Sequence, residues 1–250
     1  MVLALAALIS VEAQALPVTP FAYTDGDVKL EGRLVMPRSR AVPAGLVLIL
    51  PDWDGVNDYE IARARQVAEE WKVPALAVDI YGVDNVPKST ADNARLAGMF
   101  YADRPMFRKR VQAAYDAAAE RIRTRDKTNV AVMGYCFGGA AALEFARAGA
   151  PVRLAISFHG GLATTLPAKP GEVKAPILIF HALRDPVVPR AQFNGFLDEM
   201  EAAGADFRVV AYNLRAHAFT KPDANDYDRA ADTDSWRQST YAVKSALGLP

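Results

Sequence analysis

Cys136 stands at the centre of a Gly-x-Cys-x-Gly segment, and Asp185 and His217 follow it later in the chain. A free thiol is mostly protonated at neutral pH, with an ordinary pKa of about 8.5. To attack a carbonyl it needs a base, and the base needs an acid to orient it. Residues 129–143 read as a strand, a sharp turn and an Ala-rich helix, the layout of a nucleophile elbow. Gly134 and Gly138 flank the cysteine two residues before and two after. At such a turn both face the bend and must lack a Cβ. Gly139 then lets the following helix approach the sheet. The helix N-terminus beneath the sulfur is expected to favour thiolate. A lone cysteine after a strand also occurs as a small buried hydrophobe, so the elbow alone does not decide the matter.

The elements that must position these residues alternate along the chain. Residues 21–36 read as two strands around Asp25-Gly26, a favoured hairpin dipeptide. Short apolar runs at 45–50, 74–80, 154–158 and 177–182 are expected of buried parallel strands. Phe207 to Tyr212 reads as the last strand. Helical patterns cover 58–71, 90–101, 105–123, 191–203 and 235–247; residues 83–89 and 162–174 read as loops. Strand and helix alternation implies an α/β fold with a mostly parallel central sheet, helices on both faces and an N-terminal antiparallel hairpin. Ligands of such sheets sit beyond the carboxyl ends of the strands. Cys136, Asp185 and His217 all fall there, in the order nucleophile, acid, histidine. Asp52, Asp54 and Asp79 compete as acids near that edge, and His159 and His181 compete as bases. His181 lies within an apolar run and reads as a packed core histidine. His159 either borders the pocket or caps a loop, and Asp185 has the alternative of capping the next helix.

Composition narrows the function classes. Lys plus Arg and Asp plus Glu are 29 each, so net charge is zero and gives no case for nucleic acid. One Cys allows no intramolecular disulfide, and the three His are scattered without metal-ligand spacing. We therefore expect neither metal nor cofactor, and a monomer or a small homo-oligomer acting on a small molecule. Residues 1–15 read as a candidate signal peptide, with an apolar run at 2–11 and an Ala13-Gln14-Ala15 cleavage pattern. That run is too short to span a bilayer. Periplasmic or secreted placement is the expectation, with a cytoplasmic one the alternative, and 16–250 form a single domain.

Gly134-Tyr135-Cys136-Phe137-Gly138-Gly139, Arg184-Asp185-Pro186-Val187-Val188-Pro189 and His217-Ala218-Phe219 resemble the dienelactone hydrolase family of the α/β-hydrolase superfamily. The resemblance extends to Gly55-Val56-Asn57 and to Val78-Asp79-Ile80-Tyr81-Gly82, and covers the chain from about Phe21 onward. It implies a Cys136-Asp185-His217 triad that hydrolyses a small ester or an enol-lactone. It implies an oxyanion site at the N–H groups of Phe137 and Trp53. It also implies thiol activation by an acid on the oxyanion loop, where the dienelactone enzymes carry Glu and this chain carries Asp52. Those enzymes bind the substrate carboxylate with an arginine four residues after the histidine; here Lys221 stands at that position. A second such arginine has Arg95, Arg104 and Arg108 as candidates. Phe219, His159 and Tyr81 are expected beside Lys221 as substrate-binding residues. The loops 83–101 and 162–174 look unlike those of the small dienelactone enzymes, so chemistry transfers better than substrate.

Two other classes share these features. One is a catalytically silent fold used for binding, which has no reason to keep all three triad members. The other is a redox thiol protein, which would lack a second, resolving cysteine.

Overall fold

Leu46–Leu50 contains no polar side chain, and every residue of it is buried in strand β3. The same uniform burial marks β4 (Ala75–Ala77), β5 (Val130–Tyr135), β6 (Leu154–Phe158) and β7 (Ile177–Ala182). A sheet covered on both faces requires such runs, since neither side of the strand meets water. The computed structural model describes residues 15–39 and 41–250. With β1 (Val18–Asp25), β2 (Val28–Val35) and β8 (Phe207–Tyr212), these strands form one eight-stranded sheet. Its order is β1-β2-β4-β3-β5-β6-β7-β8. The strands from β4 to β8 run parallel, while β1 and β2 pair antiparallel and β2 meets β4 antiparallel. The hairpin forms around Asp25-Gly26, with Gly26 at φ 58°.

Side chains alternate across the sheet with a period of two. Leu46, Leu48 and Leu50 belong to one core, and Val47 and Ile49 to the other. The first core is covered by α2 (Thr90–Ala102), α3 (Arg104–Arg121), α4 (Phe137–Arg147) and α5 (Arg190–Ala203). The second is covered by α1 (Asp58–Glu70) and α6 (Arg229–Leu247) through Ala64, Val67, Val243 and Leu247. No helix among the described residues is long and apolar enough to cross a membrane.

Three boundaries differ from expectation. The strand expected over 74–80 is paired only as Ala75–Ala77. Beyond it, the Asp79 carboxylate accepts the N–H groups of Glu31, Tyr81 and Gly82, and this bends the chain out of the sheet. The closing helix starts at Arg229 rather than at 235, because Asp228 caps it by accepting the Ala231 N–H. The first strand starts at Val18 rather than at 21. The apolar run 2–11 lies outside the described residues. Leu16, the second described residue, is buried in the core shared with Trp71, and its carbonyl accepts from Arg65 at 3.0 Å.

Candidate active site

The turn from β5 into α4 holds Cys136 at φ 50° and ψ −110°. A side chain at positive φ is strained, so the surroundings must enforce it. The glycines permit the turn. A Cβ on Gly134 would lie 2.0 Å from the Gly138 carbonyl oxygen, and one on Gly138 would lie 2.2 Å from that of Leu50. The Cys136 N–H is shared between the Phe158 carbonyl at 3.0 Å and His159 Nδ1 at 3.1 Å. Since Nδ1 accepts, the proton of neutral His159 resides on Nε2, which donates to Thr220 Oγ1 at 2.8 Å. Tyr59 Oη closes this chain at 2.7 Å from the same hydroxyl.

His217 follows β8, and Asp185 follows β7. Nε2 of His217 lies 3.0 Å from Cys136 Sγ, and its Nδ1 lies 2.8 Å from Asp185 Oδ2. Asp185 is itself held, because its other oxygen accepts the N–H groups of Val187 at 2.7 Å and Val188 at 3.0 Å. Asp226 accepts the backbone N–H groups of His217 and Ala218 and fixes the histidine loop. The arrangement can move a proton from the thiol to an imidazole whose ring orientation is set by a buried carboxylate.

The charge around the thiol differs from expectation. Burial pushes Cys136 well above the ordinary thiol range, and the Asp52 carboxylate beside it pushes further; the Phe137 N–H, which donates to the sulfur, opposes them. Desolvation and the adjacent carboxylate thus oppose the pull of the helix N-terminus on the thiol. Asp52 is raised too, chiefly by burial, while Lys221 pulls it down. Despite its short side chain, Asp52 lies close enough to Cys136 for each to shift the other, and the loop at 50–51 packs against Gly138 with no room for a Cβ. Its Oδ1 also accepts the Trp53 N–H at 2.6 Å. Thus both backbone donors expected at the oxyanion site, Phe137 and Trp53, are held by the site's own atoms.

Lys221 does not stand free at the pocket rim. Its Nζ lies 2.8 Å from Asp54 Oδ2 and 3.9 Å from Asp52 Oδ2. Burial alone would pull it down, yet its hydrogen bond to Asp54 and the charges of both carboxylates hold it above its ordinary value. Three other expected substrate contacts also fall elsewhere. His159 is buried under the elbow, where desolvation and the neighbouring His217 depress it well below the ordinary histidine range. Phe219 is buried between the rings of His159 and Tyr212. Tyr81 donates to the Trp53 carbonyl at 2.9 Å and lines a separate cavity of about 300 Å³ with Asp54, Val83 and Arg33. His181 is packed against Phe193, its ring stacked at 4.8 Å.

The cavity over the sulfur, of about 240 Å³, is lined by Tyr101, Arg104, Cys136, Gly161, Ala163, Val187, Val188, Gln192 and His217. Of the arginines considered, only Arg104 lines it. Gln192, Tyr101, Thr220, Asp226 and Glu60 were not singled out from the sequence. Glu60 had a legible signal: Asn57 and Glu60 form a capping box at the start of α1. Its carboxylate accepts the N–H groups of Asn57 at 3.1 Å and of Asp52 at 3.2 Å, which fixes the loop carrying Trp53.

Known proteins share this architecture. The model of the dienelactone hydrolase family matches residues 30–247. The Yersinia pestis protein named "Putative carboxymethylenebutenolidase" is 22% identical over 239 residues, which cover 91% of this chain and 89% of that one. The dienelactone hydrolase-like promiscuous phosphotriesterase P91, from metagenomic libraries, superposes with a TM-score of 0.84 at 30% identity. That match covers 95% of this chain and all of P91 (100%). The structure named m3DLH gives a TM-score of 0.86 at 27% identity, over 93% of this chain and 99% of its own. With the fold, the elbow and a family match across most of its length, this chain is a hydrolase that belongs to the dienelactone hydrolase family.

Proposed function

We propose that the protein hydrolyses small carboxylic esters or lactones by covalent catalysis, with Cys136 as nucleophile, His217 as proton carrier and Asp185 as its orienting acid. The observation that carries this reading is the unbroken contact from Asp185 Oδ2 through His217 to Sγ, with steps of 2.8 and 3.0 Å. Attack forms a bond between Sγ and the acyl carbon, and the thiol proton passes to Nε2. The carbonyl oxygen, now an anion, takes the Phe137 and Trp53 N–H groups. For this, the carboxylate of Asp52 must release the Trp53 N–H. His217 then returns the proton to the leaving oxygen as the carbon–oxygen bond breaks. Water, deprotonated by His217, cleaves the thioester and restores the thiol.

Asp52 has two effects in this scheme. At rest it holds the thiol neutral and shields it from adventitious alkylation and oxidation. When substrate enters, displacement of its carboxylate frees an oxyanion donor beside the sulfur. Lys221, committed to Asp52 and Asp54, tunes that carboxylate rather than binding a substrate anion.

The test is turnover of p-nitrophenyl acetate by the wild type and by Cys136→Ala, alongside thiol titration of the wild type. Hydrolysis is expected to fall by several orders of magnitude in the variant, with an unchanged melting curve. Turnover that survives the substitution would overturn the nucleophile assignment. A titratable thiol with no ester turnover by the wild type would favour a binding or redox role instead.

A further inference from the structure

Ala163 and Gln192 line the cavity over Cys136 and also a neighbouring groove of about 380 Å³, which runs between the 162–167 segment and helix α5 over Pro167, Gly195 and the buried ring of Phe196. We infer that this groove is a subsite for an unbranched apolar chain of the substrate, continuous with the reacting centre. The inference rests on the hydrolytic reading above and extends it to a substrate class: esters bearing a medium-length alkyl chain.

Glu199 and Thr164, which border the groove, are already engaged, so apart from the Gln192 side chain what it offers a ligand is apolar surface. Both carboxylate oxygens of Glu199 accept from Arg147, at 2.9 and 2.8 Å, and Oε1 also accepts the Ala168 N–H at 3.0 Å. The Thr164 hydroxyl accepts the Leu166 N–H at 3.0 Å.

Its loop wall is held rigidly. Arg104 donates to the Ala163 carbonyl at 3.0 Å, Arg147 to that of Leu162 at 2.8 Å, and Arg108 to that of Leu166. All three arginines pair with the buried carboxylate of Glu144. A wall braced from behind by three guanidinium groups is preformed, which lowers the ordering cost of binding.

Gly195 is the second observation. It lies inside α5, where glycine destabilises a helix relative to alanine. A Cβ there would meet no atom within 4 Å, and the backbone has ordinary helical φ, so neither packing nor strain requires glycine. Its missing side chain leaves open space on the exposed helix surface that lines the groove, and a leucine at this position adds bulk beside that lining from a Cβ that meets no other atom.

Burial of each methylene in such a groove should raise kcat/KM about fourfold. Two ester series test this: p-nitrophenyl esters from acetate to octanoate, and alkyl acetates from ethyl to octyl. The series in which chain length raises kcat/KM identifies whether the acyl or the alcohol side occupies the groove. In Gly195→Leu the ratio of longest to shortest substrate should fall tenfold or more, and in Gly195→Ala only severalfold. A third series keeps the subsite separate from the catalytic reading. Cys136 is the sole cysteine of the chain, so N-ethyl- and N-octylmaleimide labelling rates report the groove without any turnover. The octyl-to-ethyl rate ratio should be well above one in the wild type and collapse in Gly195→Leu. If that ratio behaves so while no ester is hydrolysed, the groove stands and the hydrolytic reading fails. Flat chain-length dependence in all three series, or a dependence that Gly195→Leu leaves intact, overturns the subsite.

Discussion

At the scale of single residues, burial and then the Asp52 carboxylate raise the Cys136 thiol, against the opposing pull of the Phe137 N–H at the start of α4. Asp52→Asn removes a negative charge and a strong acceptor for the S–H proton while keeping the shape. It should therefore lower the pKa of Cys136 and move the pH profile of iodoacetamide labelling to lower pH. A profile that stays in place, or moves upward, would show that Asp52 does not set the resting thiol. The chemistry at this scale was only partly legible in the sequence. Cys136, Asp185 and His217 could be named because each follows a strand in the required order. The pairing of Lys221 with Asp54, and the place of His159 behind the elbow, depend on side chains that meet across distant segments. No spacing along the chain encodes those meetings. The histidine loop is an example: Phe219 is expected among the substrate-binding residues, yet it is fully buried against His159.

At the scale of elements, a glycine in strand β5 and one in helix α5 have opposite meanings. Gly134→Ala places a methyl carbon 2.0 Å from the Gly138 oxygen, a backbone contact that cannot relax without opening the elbow. We expect a loss of about 3 kcal/mol, the upper end of the usual range for overpacked core sites because the clash is with backbone, with no recoverable activity. Gly195→Ala should instead gain up to about 1 kcal/mol, because only helix propensity changes. Chemical denaturation of both variants checks the pair, and equal effects would contradict the reading. The oxyanion loop supplies a pH-dependent case. Burial raises Glu60 from 4.5 to about 8. The folded protein thus retains a proton that the unfolded chain releases, so this contribution is full below pH 4.5 and is lost as pH rises toward 8. Glu60→Gln cannot ionise and should flatten that decline. Melting temperatures of both proteins across this range check it, and parallel curves would refute it. Elements were the most legible scale. The mostly apolar, wholly buried runs of β3, β5, β6 and β7 could be read directly, whereas the shortening of β4 was hidden because a side chain, Asp79, ends it.

At the scale of the molecule, one buried carboxylate ties the site to the rest of the fold. Glu144 is fully buried in α4 and lies 2.8 Å from Arg108 and 3.2 Å from Arg147, with Arg104 at 3.8 Å. Arg147 continues to Glu199 of α5. Thus α3, α4, α5 and the loop wall over 162–167 share a single electrostatic hub. Removing one partner of a buried ion cluster leaves like charges uncompensated and typically costs about 3–5 kcal/mol. Glu144→Ala should therefore lose about that much stability and loosen the groove, seen as faster proteolysis within 162–174. A loss under about 1 kcal/mol would mean that the arginines repartner freely. A hint of the hub was present in the sequence, since Glu144 and Arg147 are the charged residues of an otherwise apolar helix. Their partners lie on α3 and α5, so the network itself became visible only in three dimensions.

The proposed acyl transfer through Cys136 is tested most directly with p-nitrophenyl trimethylacetate, whose hindered acyl group leaves a thioester slowly. Acid-quenched samples are digested and the peptide containing Cys136 is weighed as p-nitrophenol is released. We expect a burst of one p-nitrophenol per chain, with one trimethylacetyl group on Cys136 and none elsewhere. Release of p-nitrophenol with an unmodified Cys136, or with the acyl group on another side chain, would contradict it.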